Sequence, residues 1–248
     1  MRAFVITLAG AIAGAALAVA IILTMADRGM IPINDLQMQT YLMRRPELAA
    51  AMLGRYQQQE ESKQKAQQTA ALMNQAAFFD PKIAFVTGPA NAKQTFVEFY
   101  DYDCPFCRAS LPAIKKFYEA NKDKVRFAFI EYPIEQLHGP SAMFAAKASL
   151  AARKQRDRYM DFHFALLAEE GAITEEMIYA NAAKAGMDVN QLKADTQDPE
   201  MQKALDASIA LARKTGIDGT PTFILNGKLH PGMLEEAALN EAMALDKS

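Results

Sequence analysis

The two cysteines of this 248-residue chain, Cys104 and Cys107, are separated by Pro105 and Phe106. The strand-like run 94–100 leads into them, and Pro105 suits the first turn of a helix, where its missing amide is not needed. Free first-turn amides and the helix dipole would favour a thiolate on Cys104. Cys107, one turn later on the same face, could attack a mixed disulfide formed at Cys104. The spacing therefore predicts a thiol–disulfide redox site.

Other uses of a cysteine pair fit this sequence less well. A structural zinc site normally takes four ligands, and His138, His163 and His230 show no ligand spacing. A structural disulfide usually closes a longer loop, because a two-residue ring constrains the unfolded chain little. Two thiolates could instead bind Cu(I), and a metallochaperone therefore stays open as an alternative. We predict no cofactor and no resident metal.

A second motif lies in residues 219–228, where Thr220-Pro221 precedes a short apolar run and the dipeptide Asn-Gly. The apolar run predicts a buried strand, and Asn-Gly is typical of a two-residue hairpin turn. Pro221 would head the strand, where a missing amide is tolerated. The motif predicts a loop, a strand, a tight turn and a second strand.

Residues 96–107 and 219–223, which read FVEFYDYDCPFC and GTPTF, resemble the DsbA-like periplasmic thiol:disulfide oxidoreductases. Within that family they resemble the suppressor-of-copper-sensitivity protein C (ScsC) branch. The resemblance covers about residues 83–245 and implies an α/β thioredoxin fold with an inserted helical domain. It implies an extracytoplasmic thiol–disulfide oxidoreductase that acts as a disulfide isomerase on client proteins with cysteines or disulfides. A monomeric dithiol oxidase is the alternative within the same class.

The cysteine pair takes its roles from position and from the resemblance. Cys104 would attack the client. The helix dipole lowers the pKa of its thiol only slightly, so any larger decrease in that pKa must come from hydrogen bonds to the thiolate. Asp101 and Asp103 would oppose that thiolate if they approached it. Strongly oxidising relatives carry a histidine between the cysteines, so Pro105-Phe106 implies a less acidic Cys104 and a less oxidising pair, which favours isomerisation.

Three further residues match functional positions of the family. Glu98, six residues before the first cysteine, matches a buried proton relay. Strand alternation places it opposite Val97 and Phe99, although an exposed strand glutamate is the alternative. Thr220-Pro221 matches the cis-proline loop, which faces the reactive cysteine, contacts substrate and tunes the redox pair. As an ordinary loop residue, Thr220 would do neither.

The N-terminal residues differ in kind from the rest. The chain has a formal net charge of −2, so no nucleic-acid partner is expected. The uncharged run 3–26 would span about 36 Å as a helix, enough for a hydrocarbon core of about 30 Å. Residues 1–26 are therefore predicted to be a signal anchor or a signal peptide, with the uncleaved inner-membrane anchor favoured and the remainder in the periplasm. A chain there with one adjacent cysteine pair is expected to act on other proteins' disulfides.

Residues 27–80 are predicted to form a helical stalk. Leu48, Met52 and Tyr56 share one helical face, whereas residues 57–68 are nearly all polar and cannot be buried against a globular domain. We expect the stalk to assemble a homo-oligomer, and the resemblance favours a trimer. A simple spacer from the membrane is the alternative.

Residues 81–248 are predicted to form the DsbA-like thioredoxin-fold domain. Residues from about 134 to 215 show helical spacing, and a thioredoxin core needs only one crossover helix there, so most of this segment is predicted to be a helical insertion. The expected partners are client proteins and a membrane redox partner that keeps the cysteine pair reduced.

Overall fold

The computed structural model describes residues 35–243. The predicted anchor or signal peptide, residues 1–26, lies outside the described residues. Within the described range, no helix has both the length and the apolar character that crossing a membrane requires. The chain divides into two compact units, of which the first ends at Ser62 and the second begins at Lys63. The second unit thus includes the last residues of the predicted stalk.

Two helices lead the described chain. They are α1 (Asp35–Arg44) and α2 (Pro46–Met73). The second starts at a proline because the first helical position needs no amide hydrogen. The first unit leaves several large apolar side chains substantially exposed, namely Met38, Tyr41, Met43, Leu48, Met52, Leu53 and Tyr56. Among the described residues, these side chains form no buried core.

The described part of the second unit is built on a five-stranded mixed sheet. After the 3₁₀ turn Gln75–Phe79 come β1 (Ala84–Thr87), β2 (Gln94–Tyr100), α3 (Pro105–Asn121) and β3 (Val125–Glu131). The sheet ends with β4 (Thr222–Leu225) and β5 (Lys228–Pro231), followed by α10 (Glu236–Met243). The spatial order is β1-β3-β2-β4-β5, in which β2 and β3 are parallel and the other neighbours antiparallel. A parallel pair needs a crossover connection, which α3 supplies.

A helical segment connects β3 to β4. It contains α4 (Glu135–His138), α5 (Pro140–Ala152), α6 (Arg156–Leu167), α7 (Glu175–Lys184), α8 (Val189–Thr196) and α9 (Pro199–Lys214). Three of these helices begin at side-chain caps, because Thr174, Asp188 and Asp198 accept hydrogen bonds from amides of the following turn. The turn between β4 and β5 is Asn226-Gly227, with φ of 51° and 81°. Positive φ at both positions matches the hairpin turn predicted from Asn-Gly.

The sheet has an apolar core on each face. Phe96, Tyr100 and Phe223 belong to the core shared with α3 and the inserted helices. Val97 and Phe99 point to the other face of the sheet. They belong to the core that contains Phe78, Phe79 and Ala212 of α9. Alternate residues of a strand point to opposite faces, so β2 is buried on both sides. This burial fixes the direction in which the chain leaves β2 and enters the cysteine motif.

Candidate active site

The cysteine pair lies at the turn from β2 into α3. Cys104 is the N-cap of the helix and Pro105 is its first residue, as the spacing predicted. The Cys104 amide donates to the Asp101 carbonyl at 3.1 Å, which closes the turn. Both thiols are free and buried, with Cys104 3% exposed and Cys107 fully covered. Phe106 between them is 62% exposed, so the surface at this site is apolar.

The loop before β4 reaches the first cysteine. The Thr220–Pro221 peptide bond is cis, in agreement with the sequence-based prediction. The Cys104 thiol donates to the Thr220 carbonyl oxygen at 3.1 Å. The Thr222 hydroxyl donates to the Gly219 carbonyl at 2.7 Å and braces the loop. Two motifs more than a hundred residues apart therefore meet at one sulfur atom.

The two thiols differ strongly in acidity. A hydrogen bond from the Cys107 thiol, aided by Thr220 and by the amides of residues 106 and 107, lowers the pKa of Cys104 to about 5 against the opposing effect of burial. Burial and the hydrogen bond to Cys104 raise the pKa of Cys107 well above its ordinary value. The helix dipole alone is worth about 1 kcal/mol, less than one pKa unit. Specific hydrogen bonds therefore make Cys104 the more acidic thiol.

Thr220 acts on Cys104 in two opposite senses. Its carbonyl accepts a hydrogen bond from the protonated thiol, which favours the neutral form. Its hydroxyl is buried and has no hydrogen-bond partner among the described residues, and its position near the sulfur as a potential donor lowers the pKa of Cys104. The carbonyl cannot bond a thiolate, whereas the hydroxyl can turn its hydrogen toward one.

Glu98 lies on β2 on the same face as Phe96 and Tyr100 and is completely buried. Phe129 of β3 and Phe223 of β4 are its neighbours in the sheet register. Neither carboxyl oxygen has a hydrogen-bond partner in the described part of the chain. Burial raises the pKa of Glu98 to about 8, so at neutral pH it is mostly a neutral acid. The alternative that Glu98 is an exposed strand residue is wrong, and its charge is close enough to raise the pKa of the second cysteine.

The Asp101 carboxylate is held by three hydrogen bonds. One carboxylate oxygen accepts from the Asp103 amide at 2.9 Å. The other accepts from the Ile134 amide at 2.9 Å and lies 2.6 Å from Nδ1 of His138. The carboxylate thereby joins the active-site turn to the start of the helical segment.

Asp103 makes a second set of connections to that segment. Its carboxylate accepts from the Ile173 amide at 2.6 Å, from the Ser141 hydroxyl at 2.9 Å and from Arg108 at 3.3 Å. These contacts hold the turn that carries Cys104 against two parts of the insertion. Sequence reasoning considered the two aspartates only as charges opposing the thiolate, and it missed their structural partners. The sequence did contain a signal for these contacts. Two carboxylates within three positions of a cysteine that must be acidic need partners of their own, because they would otherwise oppose the thiolate.

A buried polar cluster behind the turn was also missed. The Tyr100 hydroxyl donates to the Glu131 carboxylate at 2.8 Å, and the Tyr102 hydroxyl hydrogen-bonds Nδ1 of His163 at 2.9 Å. Ser149 lies 3.2 Å from the first hydroxyl and 2.9 Å from the second, so it links them. Burial lowers the pKa of His163 to about 3, which keeps it neutral, and burial raises the pKa values of both tyrosines. The cluster fixes the chain on both sides of Asp101.

This fold and site define a class of protein. Residues 80–244 match the family model described as thioredoxin, and the chain belongs to that family. The thioredoxin-like α/β fold predicted from the sequence is thus confirmed. Within the family, the chain is similar to DsbA-like thiol:disulfide oxidoreductases, among them ScsC.

Solved structures support the same assignment. The chain is 37% identical to a thioredoxin-like oxidoreductase from Silicibacter pomeroyi DSS-3, with a TM-score of 0.61 over 69% of this chain and 96% of that one. It is 25% identical to the thiol-disulfide exchange protein alpha-DsbA2 from Wolbachia pipientis, with a TM-score of 0.64 over 74% and 97%. The catalytic domain of Proteus mirabilis ScsC is 26% identical, with a TM-score of 0.57 over 73% and 96%.

Curated relatives include much longer proteins. The Na(+)/H(+) antiporter NhaA 3 of Salinispora tropica is 29% identical over 164 residues, which cover 66% of this chain and 25% of the antiporter. The NhaA antiporter of Herminiimonas arsenicoxydans is 30% identical over 151 residues, covering 60% and 23%. The chain therefore spans about a quarter of the length of these relatives.

Proposed function

We propose that the protein is a periplasmic disulfide isomerase in which Cys104 attacks the disulfides of client proteins. The observation that carries this proposal is the meeting of Cys104 with the Thr220 carbonyl at 3.1 Å, at a thiol whose pKa is about 5. At neutral pH such a thiol is ionised about a hundred to one, because each pH unit changes the ratio tenfold. The thiolate is the nucleophile in disulfide exchange.

The reaction would begin with attack of the Cys104 thiolate on one sulfur of a client disulfide. The client S–S bond breaks, a mixed disulfide forms, and the other client sulfur leaves as a thiolate. In isomerisation that thiolate attacks another disulfide of the client. A client thiolate then attacks the client sulfur of the mixed disulfide and releases Cys104 as a thiolate. No net electrons are transferred.

Cys107 would provide the escape from a mixed disulfide that fails to rearrange. After losing its proton it attacks the Cys104 sulfur, which releases the client as a thiolate and leaves a Cys104–Cys107 disulfide. We assign the ionised form of Glu98 as the acceptor of that proton, because its charge is felt at Cys107 and its pKa is about 8. A membrane redox partner would restore the dithiol with two electrons and two protons.

The high pKa of Cys107 supports isomerisation. A second thiol that stays protonated attacks the mixed disulfide slowly, so the client has more time to rearrange. The low pKa of Cys104 favours a dithiol oxidase as the second candidate. The pKa of Cys104 lies about two units below neutral pH, so ionisation stabilises the reduced form of the pair by about 2.7 kcal/mol. This corresponds to a reduction potential that is about 60 mV more oxidising.

The surface beside the thiols suits an extended client segment. Phe106 offers an exposed apolar ring, and we assign it and Pro105 to client contact and tuning of the pair. Thr220 and Pro221 lie at the entrance to β4, where a client could align its backbone with the loop. We assign these two residues to substrate binding as well.

The chain organisation is part of the proposal. We place residues 1–26 as an anchor or signal peptide, residues 27–80 as an oligomerisation stalk and residues 81–248 as the catalytic domain in the periplasm. The exposed apolar side chains of α1 and of the first turns of α2 support self-association, because isolated monomers seldom expose such a series. A periplasmic thioredoxin-like protein from Salmonella enterica serovar Typhimurium, 27% identical with a TM-score of 0.56, supports the compartment.

Trapping of mixed disulfides tests the attacking role. Cys107→Ser should accumulate mixed disulfides with client proteins, since the escape thiol is gone. Cys104→Ser, the matched control, should trap none, because the remaining thiol is buried and has a raised pKa. Equal trapping by the two variants would remove the assignment.

Refolding of a scrambled disulfide protein tests the isomerase proposal. A chain beginning at Lys63 removes the first unit and keeps Gln68, whose side-chain amide donates to the Thr215 carbonyl at 3.1 Å. It should be a monomer that retains dithiol chemistry and isomerises poorly, because linked sites raise the local concentration of thiols near one client. If it isomerises as well as the full chain, the first unit is only a spacer.

A further inference from the structure

The nucleophilic thiol lies on a short turn, residues 101–104, between the end of β2 and the start of α3. The Cys104 amide donates to the Asp101 carbonyl at 3.1 Å, and the Arg108 amide donates to the Cys104 carbonyl at 3.2 Å. These backbone bonds join the turn to itself and to α3. Support from other parts of the molecule comes from its side chains.

The three side chains before the thiol all enter the helical segment. Asp101, Tyr102 and Asp103 are buried. The two carboxylates bind groups at the start of that segment and in the loop before α7. Tyr102 joins two further helices, because its hydroxyl lies 2.9 Å from Ser149 Oγ on α5 and 2.9 Å from Nδ1 of His163 on α6. The insertion therefore holds the turn at every residue that precedes the nucleophile.

The contacts of Tyr102 carry no charge. Burial lowers the pKa of His163 to about 3, and burial raises the pKa of Tyr102 well above its ordinary value of 10.0. The two rings meet edge to face, with their centroids 5.6 Å apart. Because the hydroxyl and the imidazole both stay neutral while thiols titrate, they can position the turn without adding charge to it.

The acidity of Cys104 depends on where its sulfur lies. Contacts with Cys107, with Thr220 and with the amides of residues 106 and 107 lower the pKa of this thiol against the effect of burial. Hydrogen bonds of this kind weaken steeply when their distance or angle changes. Cys104 is the N-cap of α3 with φ −78° and ψ 119°, the extended conformation from which a cap side chain reaches first-turn amides. A shift of about 0.5 Å in the turn would weaken these bonds.

We propose that Tyr102 is a positioning residue, which holds the sulfur of Cys104 against its hydrogen-bond donors by anchoring the turn to α5 and α6. The inference rests on the proposed thiol chemistry and assigns part of its control to the helical insertion. Tyr102 can be tested separately from Asp101 and Asp103, because its replacement by phenylalanine leaves every charge near the sulfur in place.

Alkylation of the reduced full chain by iodoacetamide, measured against pH, tests this role in Tyr102→Phe. The variant keeps the ring and loses both hydroxyl contacts. The transition of Cys104 should rise by about one pH unit above that of the native protein, which is equivalent to the loss of one hydrogen bond to the thiolate. At pH 7 the equilibrium constant for oxidation of glutathione should fall about tenfold, because the thiolate then stabilises the reduced pair less. Cys107 and Glu98, the ionisable groups nearest the pair, are unchanged.

Tyr159→Phe is the matched control. Its hydroxyl belongs to the same buried cluster, 2.9 Å from Ser149 Oγ and 3.0 Å from the Tyr100 hydroxyl, but Tyr159 lies on α6 and not on the turn. It should lower the midpoint of thermal unfolding about as much as Tyr102→Phe and leave the titration of Cys104 unchanged. His163→Leu removes one partner of Tyr102 from the side of the insertion and should shift the titration upward as well.

The positioning role is overturned if Tyr102→Phe or His163→Leu folds and titrates at or below the native transition, or if Tyr159→Phe shifts it as far as Tyr102→Phe. Trapping by Cys107→Ser separates this result from the proposed function. If that variant traps no client while Tyr102→Phe still shifts the titration, the attack on clients is wrong and the positioning role stands.

Discussion

Replacement of Cys107 by alanine removes the donor that contributes most to the low pKa of Cys104. The fall from the ordinary value of 9.0 to about 5 is about four units, or about 5 kcal/mol in favour of the thiolate. A hydrogen bond to a charged group is worth about 1.5–3 kcal/mol, which is about one to two pKa units. In Cys107→Ala the remaining thiol should therefore titrate between about pH 6 and 7.

The rate of alkylation by iodoacetamide, measured against pH, reports the thiolate directly because only the ionised sulfur reacts. Cys107→Ser is the matched control, since its hydroxyl is also a hydrogen-bond donor and has a similar position on α3. That variant should keep its transition close to that of the reduced native protein. Ultraviolet absorbance of the thiolate provides an independent measurement on the same samples.

Two results would refute this reasoning in different places. If Cys107→Ala titrates together with Cys107→Ser, the second side chain does not stabilise the thiolate, and the loop at Thr220 or the helix amides must do so. If the native Cys104 titrates near its ordinary value, the hydrogen bonds around the sulfur have little effect. The assignment of the attacking thiol would then rest on the trapping experiment alone.

Two further predictions concern buried charges. Glu98→Gln should raise the free energy of unfolding of the oxidised protein near pH 8 but not near pH 4. In the native protein the contribution of neutral Glu98 to stability is fully present below its ordinary pKa of 4.5 and is lost as the pH rises toward about 8. The rise of about 3.5 units in the pKa of Glu98 corresponds to an effect of up to about 5 kcal/mol. Urea unfolding at both pH values measures it, and an equal effect at both would contradict it. Arg153→Met should cost about 3–5 kcal/mol, because the buried Glu131 carboxylate loses the cation that balances its charge. Lys203→Met, which breaks an exposed pair, should leave the stability nearly unchanged. Equal losses in the two variants would argue against a role for the buried pair.

The sequence determined the features that depend on local chemistry. The strand predicted for residues 94–100 is β2 with the same bounds, and the helix begins at Pro105 as its position indicated. The cis bond before Pro221 was implied by the family resemblance. The Asn-Gly hairpin, like the strand and the helix start, was predicted from the local residues. Each depends on the conformational preference of a few adjacent residues, so short motifs were enough.

Only the tertiary structure decided which distant groups meet. Asp103 accepts the Ile173 amide 70 residues away, and Tyr102 reaches His163 61 residues away. Whether Glu98 was exposed or buried also depended on which layers covered β2, and the answer changes its pKa by several units. Alternation along a strand tells which residues share a face, but burial comes from chain segments far away in the sequence. The sequence therefore indicated that the pKa of Cys104 is lowered, but the size of that decrease is set by contacts that only folding brings together.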